Sequence, residues 1–326
     1  MSVLPGRFGF IGLGAMGFPM AVQLCRKLPS TTSVAVFDIN KAAIENFVGK
    51  VDNPTRIYAA QDAKDVAEHA DCIITIVPEG SHVKVVYLTS ETGLLAADTA
   101  GKLFIDSSTI DPGTSLEVGK AVSASQSTHP PSFYDAPVSG GTAGAEKGIL
   151  TFMVGAAPDD PKFPLLKEIL LCMGTSVNPC GGPSLGLAAK LSNNYLSGLI
   201  ALATAEAMNL GMRCGLDPKV LSNCFASSSG GSWVNSTVNP VPGVSPDAVT
   251  SKNYEGGFKV QLMKKDMTLA IEAAKQVGAK LVLAGSGLAA YAAASEDPQC
   301  RDRDSRVVYR WLGGHEPPVG KREEEA

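Results

Sequence analysis

Arg7-Phe-Gly-Phe-Ile-Gly12-Leu-Gly14-Ala-Met-Gly17 decides the fold. Arg7 to Ile11 reads as a short strand, apolar from Phe8 on, and three glycines at G-x-G-x-x-G spacing follow at once. From Met16 to Leu28 the pattern is helical, and Pro29 halts it. Ser33-Val-Ala-Val-Phe37 is a second strand, closed by Asp38. Strand, glycine turn, helix, strand and acid form one βαβ unit. Three glycines at this spacing mean little alone. Here they sit between strand and helix, and Asp38 follows Gly17 by 21 residues, close to the spacing of a ribose-binding acid. Gly12 permits the tight turn, Gly14 lets the backbone approach a pyrophosphate, and Gly17 lets the helix pack close to the strand. The helix start at Ala15, Met16 and Gly17 offers N–H groups and a positive dipole to the diphosphate. Asp38 accepts from ribose hydroxyls and repels a 2′-phosphate, which favours NAD over NADP. The plain reading, a βα turn followed by a surface aspartate, leaves that spacing unexplained.

The alternation continues outward. Asp71 to Val77 is an apolar strand closed by Pro78, and Val83 to Leu88 is helical. Leu103 to Asp106 is a strand running into Ser107-Ser108-Thr109, and Pro112 opens a helix to Val122. A Ser- and Pro-rich loop occupies 123–132. Phe133 to Val138 leads to Ser139-Gly140-Gly141, Leu150 to Val154 and Thr175 to Pro179 are strands, and Phe163 to Met173 is a helix. The expected fold is α/β: a doubly wound, mainly parallel sheet over 1–180, with helices on both faces. Ligands in such sheets lie beyond the carboxyl ends of the strands, so Gly12–Gly17, Val77-Pro78, Ser107–Thr109 and Ser139–Gly141 are expected to line one crevice. Past Arg213 strand signals vanish, and Pro218 to Phe225, Leu262 to Val277 and Leu281 to Ala294 read as helices. An all-α domain over 181–314 and a frayed tail over 315–326 complete the division.

Between them, Pro183 to Arg213 reads as one long interdomain helix with no charge between Lys190 and Glu206. Apolar residues on every helical face predict burial on every face. Lys190 enters that surrounding with Asn194 one turn later on the same side. A lysine among Leu185, Leu187, Ala189 and Leu191 is desolvated, and desolvation favours its neutral, basic form. The bland alternative is a first-turn lysine snorkelling to solvent. Ser139-Gly140-Gly141 supplies backbone N–H groups and a hydroxyl suited to a carboxylate, or is a plain glycine turn.

Bulk properties narrow the class. The 326 residues suit two domains. A net charge of −4 gives no reason to expect nucleic acid or an anionic membrane as partner, and the uncharged run of the long helix, between Lys190 and Glu206, is shorter than the roughly 20 residues that span a bilayer. Seven scattered cysteines without a CxxC pair, and four histidines without ligand spacing, point to neither disulfides nor a metal site.

These pieces together resemble the β-hydroxyacid dehydrogenase family, in unbroken order over residues 7 to 313. Phe10 to Gly17 is similar to its cofactor fingerprint, Asp135-Ala-Pro-Val-Ser-Gly-Gly141 to its substrate-carboxylate motif, and Lys190-Leu-Ser-Asn-Asn194 to its K-x-x-N-N segment. The resemblance implies Lys190 as acid/base with Asn194 its partner, Thr109 at the nucleotide, and Lys265 of the Lys265-Asp266 pair reaching the cofactor. Asn239-Pro-Val-Pro-Gly-Val244 and Asn253-Tyr-Glu-Gly-Gly-Phe258 look like the branch acting on 3-hydroxyisobutyrate. For that branch the implied reaction is NAD-dependent oxidation to methylmalonate semialdehyde, a step of valine breakdown, by a homodimer or homotetramer. It also implies a mitochondrial address, although about six residues before the first strand are too few for a presequence. A cytoplasmic placement is the alternative. Rival members reduce tartronate or succinic semialdehyde or glyoxylate, with NADPH in the nearest case, and Asp38 speaks against that. A non-catalytic binding module of this fold lacks the lysine. One departure stands out: Glu79-Gly-Ser-His82 follows Val77-Pro78 where the family often places an asparagine.

Overall fold

Phe8 and Phe10 point to one side of the first strand, Gly9 and Ile11 to the other, and all but Gly9 belong to buried cores. A strand that is apolar on both sides belongs in the middle of a covered sheet. A computed structural model, which describes residues 4–124 and 129–316, puts it there. The chain divides into two compact units, Met1–Lys190 and Leu191–Ala326.

The first unit begins β1 (Arg7–Ile11), α1 (Gly17–Lys27), β2 (Ser33–Phe37), α2 (Lys41–Lys50), β3 (Ile57–Ala59) and α3 (Ala63–His69). It continues β4 (Cys72–Thr75), α4 (Gly80–Leu88), β5 (Leu103–Asp106), α5 (Pro112–Ala124) and β6 (Ser132–Asp135). These six strands form a parallel sheet of order β3-β2-β1-β4-β5-β6. The order reverses between β1 and β4, so the glycine loop after β1 lies at the switch point, where such sheets take their ligands. One core packs Phe8, Phe10, Val34 and Val36 with Met20 and Leu24 of α1. The other packs Ile11, Ile73 and Phe104 with Val66 of α3, Tyr87 of α4 and Val118 of α5.

Then come β7 (Val138–Ser139), α6 (Gly141–Lys147), β8 (Leu150–Val154), α7 (Phe163–Leu170) and β9 (Gly174–Pro179). Their strands do not extend the large sheet. They make a separate sheet, β7-β8-β9, antiparallel at β7–β8 and parallel at β8–β9. Val138 and Ser139 are too short a strand for another crossover, and they pair back onto β8 instead. Edge reasoning for a shared crevice therefore covers Gly12–Gly17, Val77-Pro78 and Ser107–Thr109, but not Ser139–Gly141.

The long helix α8 spans Leu185–Arg213. Burial on every face does not hold for it. Ser192 and Ala203 are exposed, Leu196 is 58% exposed and Leu210 68%, a recurrence near seven residues that leaves one stripe open. The second unit continues with α9 (Pro218–Ala226), α10 (Trp233–Thr237), α11 (Val260–Gln276), α12 (Ala284–Glu296) and α13 (Val308–Trp311), helical as expected among the described residues. Asp217 accepts from the Lys219 and Val220 N–H groups and Pro218 stands at the first turn, so α9 starts where the sequence places it. Its core gathers Leu202, Met208, Met263, Met267, Tyr291 and Tyr309. Of the expected loop at 123–132, residues 125–128 lie outside the described residues, while Ala124 ends α5 and Ser132 begins β6; the expected tail at 315–326 lies outside them from 317 on.

Candidate active site

Two of the three fingerprint glycines are fixed by protein atoms and one by empty space. Gly12 has φ +96°, and a Cβ there would overlap the Ile76 carbonyl. A Cβ on Gly17 would overlap the Gly12 carbonyl. A Cβ on Gly14 would meet nothing within 4 Å. The first and third glycines thus serve the fold, while the second keeps a space open for something outside it. No side chain caps the start of α1, which leaves N–H groups at Met16 and Gly17 for an anion.

Asp38 is drawn onto this loop. Its Oδ2 accepts from the Leu13 N–H at 2.6 Å and its Oδ1 from the Asn40 N–H at 2.7 Å. A carboxylate offers about four lone-pair positions, so about two stay available for a ribose diol. Beside the loop a cavity of about 700 Å³ runs between α1 and α2, lined by Leu13, Gly14, Ala15, Phe18, Asn40 and Ala43 among others. It reaches the loop but not Val77, Pro78 or Thr109, so it is a flank of the cofactor region rather than the whole.

The neighbouring loops are tied together by hydrogen bonds. Val77 lies against Gly12, with its Cγ1 3.5 Å from where a Gly12 Cβ would stand. The Val77 N–H donates to Ser108 Oγ at 2.9 Å, next to half-buried Thr109. Pro78 is exposed at the rim, and His82 is exposed on the first turn of α4. Open space at Gly14, free donors at the start of α1, and an acid fixed beside them are the features a dinucleotide requires, and the residues present fit NAD.

At the other motif, Gly140 (φ +135°) and Gly141 (φ +63°) take conformations that only glycine adopts without strain. They start α6 with no side-chain cap. The acid preceding this turn has a part that sequence reading missed. Asp135, 1% exposed, accepts from the Ser184 N–H at 2.7 Å and the Leu187 N–H at 2.9 Å, capping α8 from a strand. A Cβ on Gly155 would overlap its carboxylate and one on Gly186 would overlap the Met153 carbonyl, so both glycines keep room for the contact. Burial raises the Asp135 carboxyl above its ordinary value, against the backbone bonds that favour its charge. Lys190 follows Leu187 by less than a turn and is 6% exposed, so the lysine is buried and does not snorkel.

In the second unit, Asn194 is buried and held at both ends. Its Nδ2 donates to Asp266 Oδ2 at 2.6 Å, and its Oδ1 accepts from Asn193 Nδ2 at 3.1 Å. Lys265 Nζ stands 3.3 Å from Asp266 Oδ1, an ion-pair distance without hydrogen-bond alignment. Asp266, 1% exposed, thus joins Lys265 to Asn194, where sequence reading assigned a role only to the lysine of the pair. Its signal was there: an acid next to a lysine on a helix whose neighbours are Met263 and Met267. Among the described residues no group of three or more His, Cys, Asp or Glu is placed to hold a metal, and no helix is long and apolar enough to cross a membrane.

Known proteins resemble the chain over nearly its whole length. Residues 7–182 match the family described as the NAD binding domain of 6-phosphogluconate dehydrogenase. Residues 185–312 match that described as NAD-binding of NADP-dependent 3-hydroxyisobutyrate dehydrogenase. The chain is 42% identical to human mitochondrial 3-hydroxyisobutyrate dehydrogenase, over 84% of this chain and 77% of that one. It is 41% identical to the 3-hydroxyisobutyrate dehydrogenase of Pseudomonas aeruginosa, over 84% and 87%. The solved Mycobacterium tuberculosis 3-hydroxyisobutyrate dehydrogenase with L-serine superposes with a TM-score of 0.83 at 31% identity, covering 95% of this chain and 99% of that one.

Proposed function

The chain belongs to the 3-hydroxyisobutyrate dehydrogenase family, an NAD-binding oxidoreductase family, and on that premise we propose that it oxidises 3-hydroxyisobutyrate to methylmalonate semialdehyde. One observation carries the reading: a buried lysine, Lys190, one helical turn from an asparagine whose amide is fixed by a buried carboxylate. When bound, NAD supplies the hydride acceptor. Gly12, Gly14, Ala15, Met16 and Gly17 hold its pyrophosphate, Asp38 its ribose, and Val77, Pro78, Thr109 and Lys265 complete the contact. Both Asp38 oxygens are already set by loop N–H groups, so a 2′-phosphate would meet a fixed negative charge, and NAD is preferred to NADP.

On the substrate side, Ser139, Gly140 and Gly141 hold the carboxylate through N–H groups and a hydroxyl. Lys190 Nζ takes the proton of the substrate hydroxyl as the general base. Asn194 keeps one amide hydrogen and one carbonyl lone pair beyond its bonds to Asp266 and Asn193, enough to hold the hydroxyl in line with Lys190. L-serine, present with the M. tuberculosis relative, is itself a 3-hydroxy acid and supports this substrate class. We assign 1–180 to cofactor binding and 181–314 to the helical domain. The exposed Leu196 and Leu210 support assembly into a homodimer or homotetramer. The mitochondrial name of the human relative supports a place in mitochondrial valine breakdown.

The test is a panel of (S)-3-hydroxyisobutyrate, L-serine, D-glycerate and 4-hydroxybutyrate with NAD and with NADP. The highest kcat/KM is expected for 3-hydroxyisobutyrate with NAD. A tenfold preference for another acid would overturn the substrate assignment, and a preference for NADP would overturn the reading of Asp38.

A further inference from the structure

Asp106 ends β5, opposite Thr75 of β4 and Asp135 of β6, and is 1% exposed. Its Oδ1 accepts from the Thr75 hydroxyl at 2.8 Å, the Ser108 hydroxyl at 2.7 Å and the Ser108 N–H at 3.2 Å. Its Oδ2 is buried with no hydrogen-bond partner among the described residues. Nothing in the proposed chemistry uses this acid, and burying it so incompletely satisfied is costly.

A serine hydroxyl has one hydrogen. Because Ser108 gives that hydrogen to Asp106, its lone pairs are turned outward, and one of them accepts from the Val77 N–H at 2.9 Å. Without the acid the hydroxyl rotates freely and the Val77 peptide loses its fixed acceptor. Val77 in turn lies against Gly12, so any drift of that peptide is felt at the glycine loop.

We propose that Asp106 is a positioning residue: acting through the Ser108 hydroxyl, it fixes the Val77-Pro78 turn against the Thr109 loop and so shapes the face that receives the cofactor. This rests on the assignment of Val77, Pro78 and Thr109 to NAD. Asp106 touches neither cofactor nor substrate.

The experiment uses the full chain with Ser108→Ala, Asp106→Ala and Asp106→Asn, and reads NAD affinity and steady-state rates at a temperature where each variant is folded. Ser108→Ala and Asp106→Ala should raise Kd and KM for NAD about tenfold, which is about 1.4 kcal/mol, with kcat and the KM of the hydroxy acid within about twofold of wild type. Asp106→Asn keeps an acceptor at Oδ1 and should restore NAD affinity to within about twofold. A folded Ser108→Ala protein with wild-type Kd overturns the proposal, and so does an Asp106→Asn protein as weak as Asp106→Ala. If Asp106→Ala does not fold, Ser108→Ala decides alone. Gly14→Ala separates the two levels. If it too leaves NAD affinity unchanged, the assignment of these loops to the cofactor fails and the role of Asp106 with it. If it weakens NAD while Ser108→Ala does not, only the role of Asp106 fails.

Discussion

Gly14→Ala should make the protein slightly more stable and much worse at holding NAD. The Cβ meets no protein atom within 4 Å, and the φ of Gly14 lies outside the left-handed region, so alanine fits the folded chain. Replacing such a glycine removes conformational freedom from the unfolded chain and stabilises by about 0.4–1 kcal/mol. The same methyl stands where the pyrophosphate must approach the backbone, and a displacement costing about 1.4 kcal/mol or more weakens binding at least about tenfold. Gly17→Ala has the opposite signature. Its Cβ would overlap the Gly12 carbonyl, which is backbone and cannot swing aside, so destabilisation of about 1–3 kcal/mol is expected. Thermal unfolding of the NAD-free proteins and NAD titration by protein fluorescence measure both quantities. A Gly14→Ala protein that binds NAD like wild type would refute the claim that the second glycine keeps its space open for the cofactor.

Asp106→Asn should change how stability depends on pH. Burial pushes the Asp106 carboxyl up to about 6 from 3.8, so the folded state binds its proton more tightly than the unfolded state does. Its cost is absent below the unfolded value, grows through the interval, and is complete above the folded value, at about 3 kcal/mol. The Asp135 carboxylate, opposite on β6, adds to the effect. Relative to wild type, the asparagine protein should therefore gain up to about 3 kcal/mol between pH 4 and pH 7 in urea unfolding, and parallel curves would contradict the buried charge. Asp266→Ala strands the Asn194 amide and removes the carboxylate 3.3 Å from Lys265 Nζ. It should lower kcat/KM about 10–100-fold while the helical unit stays folded by circular dichroism, in line with about 1.5–3 kcal/mol for a charge-assisted bond, and an unchanged kcat/KM would contradict its role.

The elements that the sequence shows best are those whose pattern is set by a single surrounding. β1, β2, β5 and β8 are apolar runs between turn residues, and their ends lie where the sequence puts them. α2, β3 and α3 were not legible. Only Phe47 of α2 is buried, and Tyr58 and Ala59 of β3 are exposed, so neither element carries a core pattern. The second sheet was illegible for another reason, since pairing partners are chosen by tertiary contact and not by the two residues of β7. At the site, glycines and the lysine carry their chemistry in their residue type. Asp106, Asp135 and Asp266 do not, because a buried acid is spelled like a surface one. Only their partners in space, Ser108, the start of α8 and Asn194, give them a meaning.

The central claim is that Lys190 moves the hydroxyl proton. It is tested most directly by following NADH appearance with NAD and (S)-3-hydroxyisobutyrate for wild type and Lys190→Ala, at NAD concentrations that saturate both. The account predicts a kcat lowered about 10²–10⁴-fold, the usual share of a positioned general base, with NAD affinity unchanged. A Lys190→Ala protein that turns over within a few-fold of wild type would contradict it.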